Sequence, residues 1–365
     1  MSDLYIGLMS GTSMDGIDAA LVRFGDASLE VLETHEHDYP ALLRENLAEA
    51  IRHPNARSPA DVENLHRHVG LCFRDAAIAL LEKANVDHST VTAIGSHGQT
   101  IRHEPNAPEP YSLQVGDGTV IAADTGITTI SDFRTADIEL GGQGAPLAPA
   151  CHEWLFYQPG MNRVILNIGG IGNVTMLHGD GSDTTGFDTG PGNTLLDAWI
   201  GKHRGEAFDR DGGWAAEGQV DDALLERLLA DPYFAAPPPK STGFEYFNLE
   251  WLDTFDIGAH EPADVQATLG ALSANSIADA IRGNADEVLV CGGGVHNKEL
   301  LRRIRDCLPG VNVASTTSAG LDPDWVEAVA FAWLAMRTTR GLPGNLPAVT
   351  GASRPTVLGI THRAI

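Results

Sequence analysis

The sequence predicts a two-domain α/β protein whose mixed β-sheet core is duplicated. Three observations carry this reading. The chain has 365 residues, enough for two hydrophobic cores. Strand-like runs alternate with helix-like ones along its length, the pattern of α/β folds. The same unit opens each half: strand, polar glycine loop, strand, first at residues 4–24 and again at residues 162–177.

In the first unit, Leu4-Tyr5-Ile6 and Ala19–Phe24 read as paired strands. Between them lies Gly7-Leu-Met-Ser-Gly-Thr-Ser-Met-Asp-Gly-Ile-Asp18. Gly11 and Gly16 permit positive φ, so several backbone N–H groups can turn toward one point. Ser10, Thr12 and Ser13 add hydroxyl donors, and Asp15 and Asp18 are candidate Mg²⁺ partners through water. This describes a phosphate cradle with room for a divalent cation. It contains no lysine, so it is not a Gly-x4-Gly-Lys-Ser/Thr loop. An ordinary polar hairpin turn is the alternative.

Leu29–Leu32 reads as a third strand. Leu43, Leu47, Ala50 and Ile51 share one side of a helix over Pro40–His53. Ser58 and Pro59 begin another helix, running to about Asn85, with room for a break near Gly70. Val91–Gly95 is a strand ending in Ser96-His-Gly-Gln-Thr100. The glycine- and proline-rich stretch Gly141–Pro149 marks the domain boundary. Domain I is expected over residues 1–135 with 345–365, and domain II over 136–344.

In the second half, Asn162–Ile168 is a strand, Gly169-Gly-Ile-Gly-Asn173 a tight turn, and Val174–Leu177 the returning strand. Farther on, Pro191 and Gly192 break the backbone, and Asn193 or Thr194 caps a helix carrying Leu195, Leu196 and Trp199. Asp188 is thereby expected just before a helix N-terminus, beside free N–H groups. There it is expected to be ionised at neutral pH and placed as a general base. An aspartate that merely satisfies those amides is the alternative. Val288–Cys291 is a buried strand followed by Gly292-Gly-Gly294 and a helix over Asn297–Cys307. A nucleotide can approach the backbone at such a junction.

The formal net charge of −25 argues against nucleic-acid and anionic-membrane partners. An acidic protein that binds phosphate must build positive potential locally, from backbone N–H groups, helix N-termini and a metal. The apolar runs are too short to span a bilayer. No basic start or long apolar run opens the sequence, so a cytoplasmic location is expected. Cys72, Cys151, Cys291 and Cys307 are scattered, without the spacing of a zinc site or disulfide framework. Phosphoryl transfer needs a phosphate cradle, a metal and a group that activates the nucleophile. The two glycine loops, the nearby carboxylates and Asp188 match those parts.

Seven segments together carry a family resemblance: Met9–Asp18, Ser96–Thr100, Gly141–Pro146, Asn167–Asn173, Phe187–Asn193, Lys240-Ser-Thr-Gly243 and Gly292–Gly294. Over nearly the full length the chain resembles anhydro-N-acetylmuramic acid kinase, of the sugar kinase/Hsp70/actin superfamily. The resemblance implies a two-domain actin-like ATPase (ribonuclease H-like) fold, with helices flanking the duplicated sheets and ATP in the interdomain cleft. It implies that ATP phosphorylates O6 of 1,6-anhydro-N-acetylmuramic acid while water opens the bridge at C1. The product is N-acetylmuramic acid 6-phosphate, in peptidoglycan recycling.

By the same resemblance Asp188 is the catalytic aspartate that deprotonates the attacking water, with Glu327 helping to position it; a solvated helix face is the alternative for Glu327. Gly11, Thr12, Ser13, Met14, Asp15, Gly16, Ile17 and Asp18 form the ATP-binding segment. Gly169, Gly170, Gly172 and Asn173, with Gly292, Gly293 and Gly294, are further nucleotide contacts. Arg134 is the candidate fork for the lactyl carboxylate, a structural ion pair being the alternative. His97 and Gln99 are expected near the sugar. ATP and Mg²⁺ are the expected cofactors, and a homodimer is expected. Phe244, where many relatives have a basic residue, and the C-terminal Leu358–Arg363 depart from the family pattern. Two other readings stay open: a superfamily kinase for another sugar hydroxyl, and a nucleotide-driven conformational ATPase.

Overall fold

The computed structural model describes residues 3–11, 14, 16–25, 28–53, 57–238 and 240–364. Its strands are β1 (Asp3–Met9), β2 (Ile17–Phe24), β3 (Leu29–His37), β4 (Val91–Ser96), β5 (Gln99–Glu104), β6 (Tyr111–Val115), β7 (Thr129–Ser131), β8 (Arg163–Ile168), β9 (Ile171–Leu177), β10 (Thr185–Pro191), β11 (Glu287–Cys291), β12 (Asn312–Ser315) and β13 (Ile360–His362). The chain divides into two units, Met1–Cys151 with Trp325–Ile365, and His152–Asp324. The divisions thus fall at 151/152 and 324/325, whereas the sequence suggested 135/136 and 344/345. The helix Val326–Thr339 accounts for the second difference, because it packs on β1 and β4 of the first unit.

The first unit holds a sheet in the order β13-β7-β4-β1-β2-β3. β1, β2 and β3 form an antiparallel meander. β4 runs parallel to β1, and β7 parallel to β4. Tyr5–Met9 are buried without alternation, as expected of a central strand covered on both faces. On one face, Leu65, Val69, Phe73 and Leu80 of the helix Pro59–Ala84 join Ile6, Leu8, Leu21 and Ile94 in one core. That helix starts with the expected cap: Ser58 Oγ accepts from Asp61 N–H and Asp61 Oδ2 accepts from Ser58 N–H, both at 3.2 Å. It does not break at Gly70. A Cβ there would lie 2.7 Å from Asp117 N, so the missing side chain serves close packing and not a kink.

On the other face, the backbone of the Val326–Thr339 helix rests directly on two strand glycines. A Cβ on Gly7 would lie 1.8 Å from Ala328 O, and one on Gly95 2.1 Å from Phe331 O. This contact sets the position of Glu327, in the first turn of that helix.

The second unit holds a sheet in the order β10-β9-β8-β11-β12. β8, β9 and β10 are antiparallel neighbours, and β11 and β12 run parallel to β8. Counting strands within each unit's sheet, the second reads 3-2-1-4-5 and the first 3-2-1-4-5-6; in both the first three are antiparallel and the fourth and fifth parallel, and β13 adds a sixth, antiparallel edge strand to the first. This is the ribonuclease H-like order, and it occurs twice, as the paired hairpins in the sequence suggested. Ala274, Ile277, Ala278 and Ile281 of the helix Pro262–Ile281 pack on Val164, Leu166, Val288 and Val290. The turn between β8 and β9 is shorter than expected: it is Gly169-Gly170, and Gly172 and Asn173 belong to β9. Among the described residues, no helix is long and apolar enough to cross a membrane.

Candidate active site

In the first unit the loop after β1 is braced from below. Ser10 Oγ lies 2.8 Å from Gly16 O and 2.8 Å from Gln99 Oε1. Gln99 Nε2 donates to Gly11 O at 3.1 Å. Gln99 is fully buried, so its amide braces the loop backbone. Thr12, Ser13 and Asp15 of the expected cradle lie outside the described residues. Met14 takes the left-handed conformation (φ 55°), uncommon for a residue with a long side chain. Gly16 does not take it. Its value is space, since a Cβ would sit 3.1 Å from His37 O of β3. Ile17 and Asp18 are already in β2.

His97 follows β4 and is buried. Its Nδ1 faces Ser10 O at 3.2 Å, and its Nε2 faces an Arg134 guanidinium nitrogen at 2.9 Å. Arginine can only donate, so Nε2 accepts and the ring proton belongs on Nδ1. Burial, with the Arg134 charge second, pushes the His97 pKa down to about 3. The imidazole is therefore neutral at pH 7. Its ring stacks at a tilt on Phe331, with centroids 4.7 Å apart.

Arg134 donates from a second nitrogen to Gly144 O at 3.0 Å. Its Nε is buried with no partner among the described residues. Burial lowers its pKa to about 10, opposed by Asp132 and Glu327, and it stays charged at pH 7. A buried guanidinium N–H without an acceptor is costly, and an anionic ligand would satisfy it. Glu327 stands near enough to feel Arg134. Desolvation raises its pKa and Arg134 opposes the rise. His97, Arg134 and Glu327, far apart in sequence, thus form one group with the Ser10 loop.

In the second unit Asp188 lies inside β10, at an irregularity between Asp188 and Gly190. This differs from the expected place before a helix N-terminus. The N–H groups of Gly192, Asn193 and Thr194 are instead taken by the carbonyls of Gly169 and Gly170, at 2.8–3.0 Å. Asn193 occupies the cap position, but its side chain donates to Gly169 O and does not cap the helix. Asp188 Oδ2 accepts from Thr242 N–H at 3.0 Å. Its backbone is held by Lys240 O, which accepts from Asp188 N–H at 3.1 Å, and by the Tyr233 hydroxyl, which donates to Asp188 O at 2.7 Å.

Burial raises the Asp188 pKa to about 6; the Thr242 hydrogen bond opposes this and the Glu245 charge adds to it. The N–H group that reaches it does not offset desolvation, so its pKa lies above the ordinary carboxylate value. A base with this pKa is still about nine-tenths ionised at pH 7, and close to the optimum for taking a proton there.

Asp188 pairs across the sheet with Asn173, Asn173 with Asn167, and Asn167 with Cys291. Residues paired in this way share one face, so Asn167, Asn173 and Asp188 form a polar row. Gly292 (φ 77°) and Gly294 let the turn after β11 press on the end of β8, where Cβ atoms would lie 2.3 Å from Asn167 Oδ1 and from Ile168 Cγ2. Around the Cβ position of Gly293 there is open space.

A Mg²⁺ site is tested by its donors. Among the described residues, no group of three or more His, Cys, Asp or Glu could hold an ion. Mg²⁺ bound with a nucleotide commonly uses one or two carboxylates plus phosphate oxygens. Asp18, at the start of β2 and partly accessible, fits such a role.

Tyr233, Lys240 and Thr242 were not assigned to the site from the sequence. Tyr233 sits in a four-residue helix, Pro232–Ala235, too short for periodicity. Lys240 donates to the carbonyls of Tyr233 and Phe234, at 3.1 and 3.2 Å, and lies over the Tyr233 ring. Its charge locks the support of Asp188 and gives no local pattern. Phe244, beside this segment, is exposed.

Compared with known proteins, residues 3–364 match the family model described as anhydro-N-acetylmuramic acid kinase. The chain is 52% identical over 364 residues to the anhydro-N-acetylmuramic acid kinase of Shewanella halifaxensis, covering 99% of this chain and 98% of that protein. It is 53% identical over 363 residues to that of Shewanella loihica, covering 97% of each. Among solved structures, the activator of the 2-hydroxyisocaproyl-CoA dehydratase from Clostridium difficile, with bound ADPNP, aligns with a TM-score of 0.46 at 12% identity, covering 92% of this chain and 96% of that one.

Proposed function

The chain belongs to the anhydro-N-acetylmuramic acid kinase family, and from that premise we propose that Asp188 is the general base of a coupled hydrolysis and phosphoryl transfer. The observation that carries this is the Asp188 carboxylate, desolvated to a pKa of about 6 and held by Thr242. Water gives a proton to Asp188 as its oxygen bonds to C1 of 1,6-anhydro-N-acetylmuramic acid. The C1–O6 bond breaks, and O6 takes the γ-phosphoryl group of ATP. The products are N-acetylmuramic acid 6-phosphate and ADP, and Asp188 then returns its proton to solvent.

The other residues bind and orient. The turns at Gly169-Gly170 and Gly292–Gly294 are read as backbone contacts to the nucleotide, and the Gly11–Asp18 segment as its phosphate-binding sequence. Asn173 lines the same polar row as Asp188. Mg²⁺ held by Asp18 and phosphate oxygens would neutralise phosphate charge. Arg134, with its unpartnered Nε, receives the lactyl carboxylate. Neutral His97 holds that guanidinium from one side, and Glu327 lies beside it. Gln99 and Ser10 keep the loop in shape.

The test is dependence on the bridge. Purified protein with Mg-ATP should release ADP with the anhydro sugar and at least about 10²-fold more slowly with ring-opened N-acetylmuramic acid, which has a free O6. Equal rates would mean an ordinary sugar-hydroxyl kinase. ADP release without any sugar would mean a substrate-free ATPase.

A further inference from the structure

Asp137 is fully buried and lies outside every role assigned so far. Its carboxylate is a hub. Oδ2 accepts from Gly144 N–H at 2.8 Å, and Oδ1 accepts from Asn345 Nδ2 at 2.6 Å and from Thr350 Oγ1 at 2.7 Å. Gln143 N–H donates to Thr350 O at 2.8 Å, and Asn345 Oδ1 accepts from Thr356 N–H at 2.7 Å. The hub therefore ties the 141–144 loop to the segment 345–356.

Two glycines show how tightly the loop is wrapped. A Cβ on Gly142 would lie 2.2 Å from Asp137 Oδ2. One on Gly144 (φ 66°) would lie 2.9 Å from Ile138 and 3.2 Å from Arg134 Cβ. The carbonyl of Gly144 is what Arg134 donates to, and Arg134 in turn donates to His97, which bonds Ser10 O. One chain of hydrogen bonds runs from Asp137 to the loop after β1.

We propose that Asp137 is a positioning residue for Arg134. It fixes the Gly144 carbonyl so that the two terminal guanidinium nitrogens are each held by one hydrogen bond and the buried Nε–H, with the second N–H of each, is left for an anion. A planar fork held at two points cannot turn, so its remaining N–H directions are set before the ligand arrives. The inference rests on the reading that Arg134 receives the substrate carboxylate. It adds that the order of this contact comes from a buried acid three residues on, in the four-residue helix Thr135–Ile138 whose N-cap position Arg134 occupies.

In Asp137→Asn an amide N–H₂ faces donors that formerly met a carboxylate oxygen, so the loop loosens while side-chain volume is kept. The Michaelis constant for the anhydro sugar should rise about 10-fold or more, with kcat and the Michaelis constant for ATP changed less than about 3-fold. The penalty should vanish for the same anhydro sugar lacking the lactyl group. In the Arg134→Ala background Asp137→Asn should add little. If Asp137→Asn does not fold, Thr350→Val removes one donor and keeps the hub; it should give a smaller loss with the same signature.

An equal fall in activity toward both sugars, or an effect that simply adds to Arg134→Ala, would make Asp137 a purely structural residue and overturn the proposal. Arg134→Ala with an unchanged Michaelis constant for the anhydro sugar would overturn the carboxylate reading itself. The two failures are therefore distinct.

Discussion

Asp188→Asn will lower kcat by about 10³-fold and will make the protein more stable above pH 6. Both effects follow from one burial. The folded-state pKa of Asp188 is raised to about 6, from an ordinary value of 3.8. The folded state therefore holds this proton more tightly than the unfolded chain. That contribution to stability is fully present below pH 3.8 and is lost as pH rises through 6. Above pH 6 the buried charge costs about 3 kcal/mol. Asparagine removes the charge and can still accept from Thr242 N–H. Thermal denaturation should show a gain of several degrees at pH 8 that disappears at pH 4. In the wild-type protein kcat should fall on the acid side with an apparent pKa near 6. An unchanged kcat in Asp188→Asn would remove this residue from the chemistry.

Gly95→Ala, like Gly7→Ala, will be among the most destabilising single-methyl changes in the first unit. The new carbon would lie 2.1 Å from Phe331 O and 3.0 Å from Ala335 Cβ, with no rotamer to escape into. Over-packing against side chains costs about 1–3 kcal/mol, and a clash with helix backbone exceeds that range. Relief requires the whole Val326–Thr339 helix to move, and that helix carries Glu327 and the Phe331 ring that packs on His97. Calorimetry should find the variant largely unfolded at 37 °C or inactive when folded. Gly213→Ala is the control. Nothing surrounds that Cβ position, so its stability should stay level or rise. Equal stability of the two variants would contradict the packing account.

The fold was legible where local patterns and tertiary structure agree. The two hairpins with glycine tips announced the duplicated sheet, and Ser58-Pro59 marked a helix start that is met to the residue. Gly70 misled, because a glycine in a helix reads as a break when its neighbour is not yet known. The helix Val326–Thr339 has an apolar surface nearly all round, so its sequence could not say which unit it would join. The strand glycines that receive it decide that.

The site was legible as residue identity and not as environment. Asp188, Arg134, His97 and Glu327 were singled out, and the last three form one group in the first unit. The setting of Asp188 is made by tertiary contacts. The helix amides expected beside it are used by Gly169 and Gly170, contacts created only when β9 folds back on β8. Tyr233, Lys240 and Thr242 reach Asp188 across 45 to 54 positions of sequence. No local period encodes such contacts.

The central claim is that water, activated by Asp188, attacks C1 while O6 leaves to phosphate. Turnover of 1,6-anhydro-N-acetylmuramic acid with Mg-ATP in ¹⁸O-water, followed by mass spectrometry of the product, tests it most directly. The account predicts N-acetylmuramic acid 6-phosphate with one ¹⁸O at C1 and none in the phosphoryl group. Label in the phosphoryl group, or a phosphorylated sugar whose C1 oxygen is unlabelled before exchange, would contradict it.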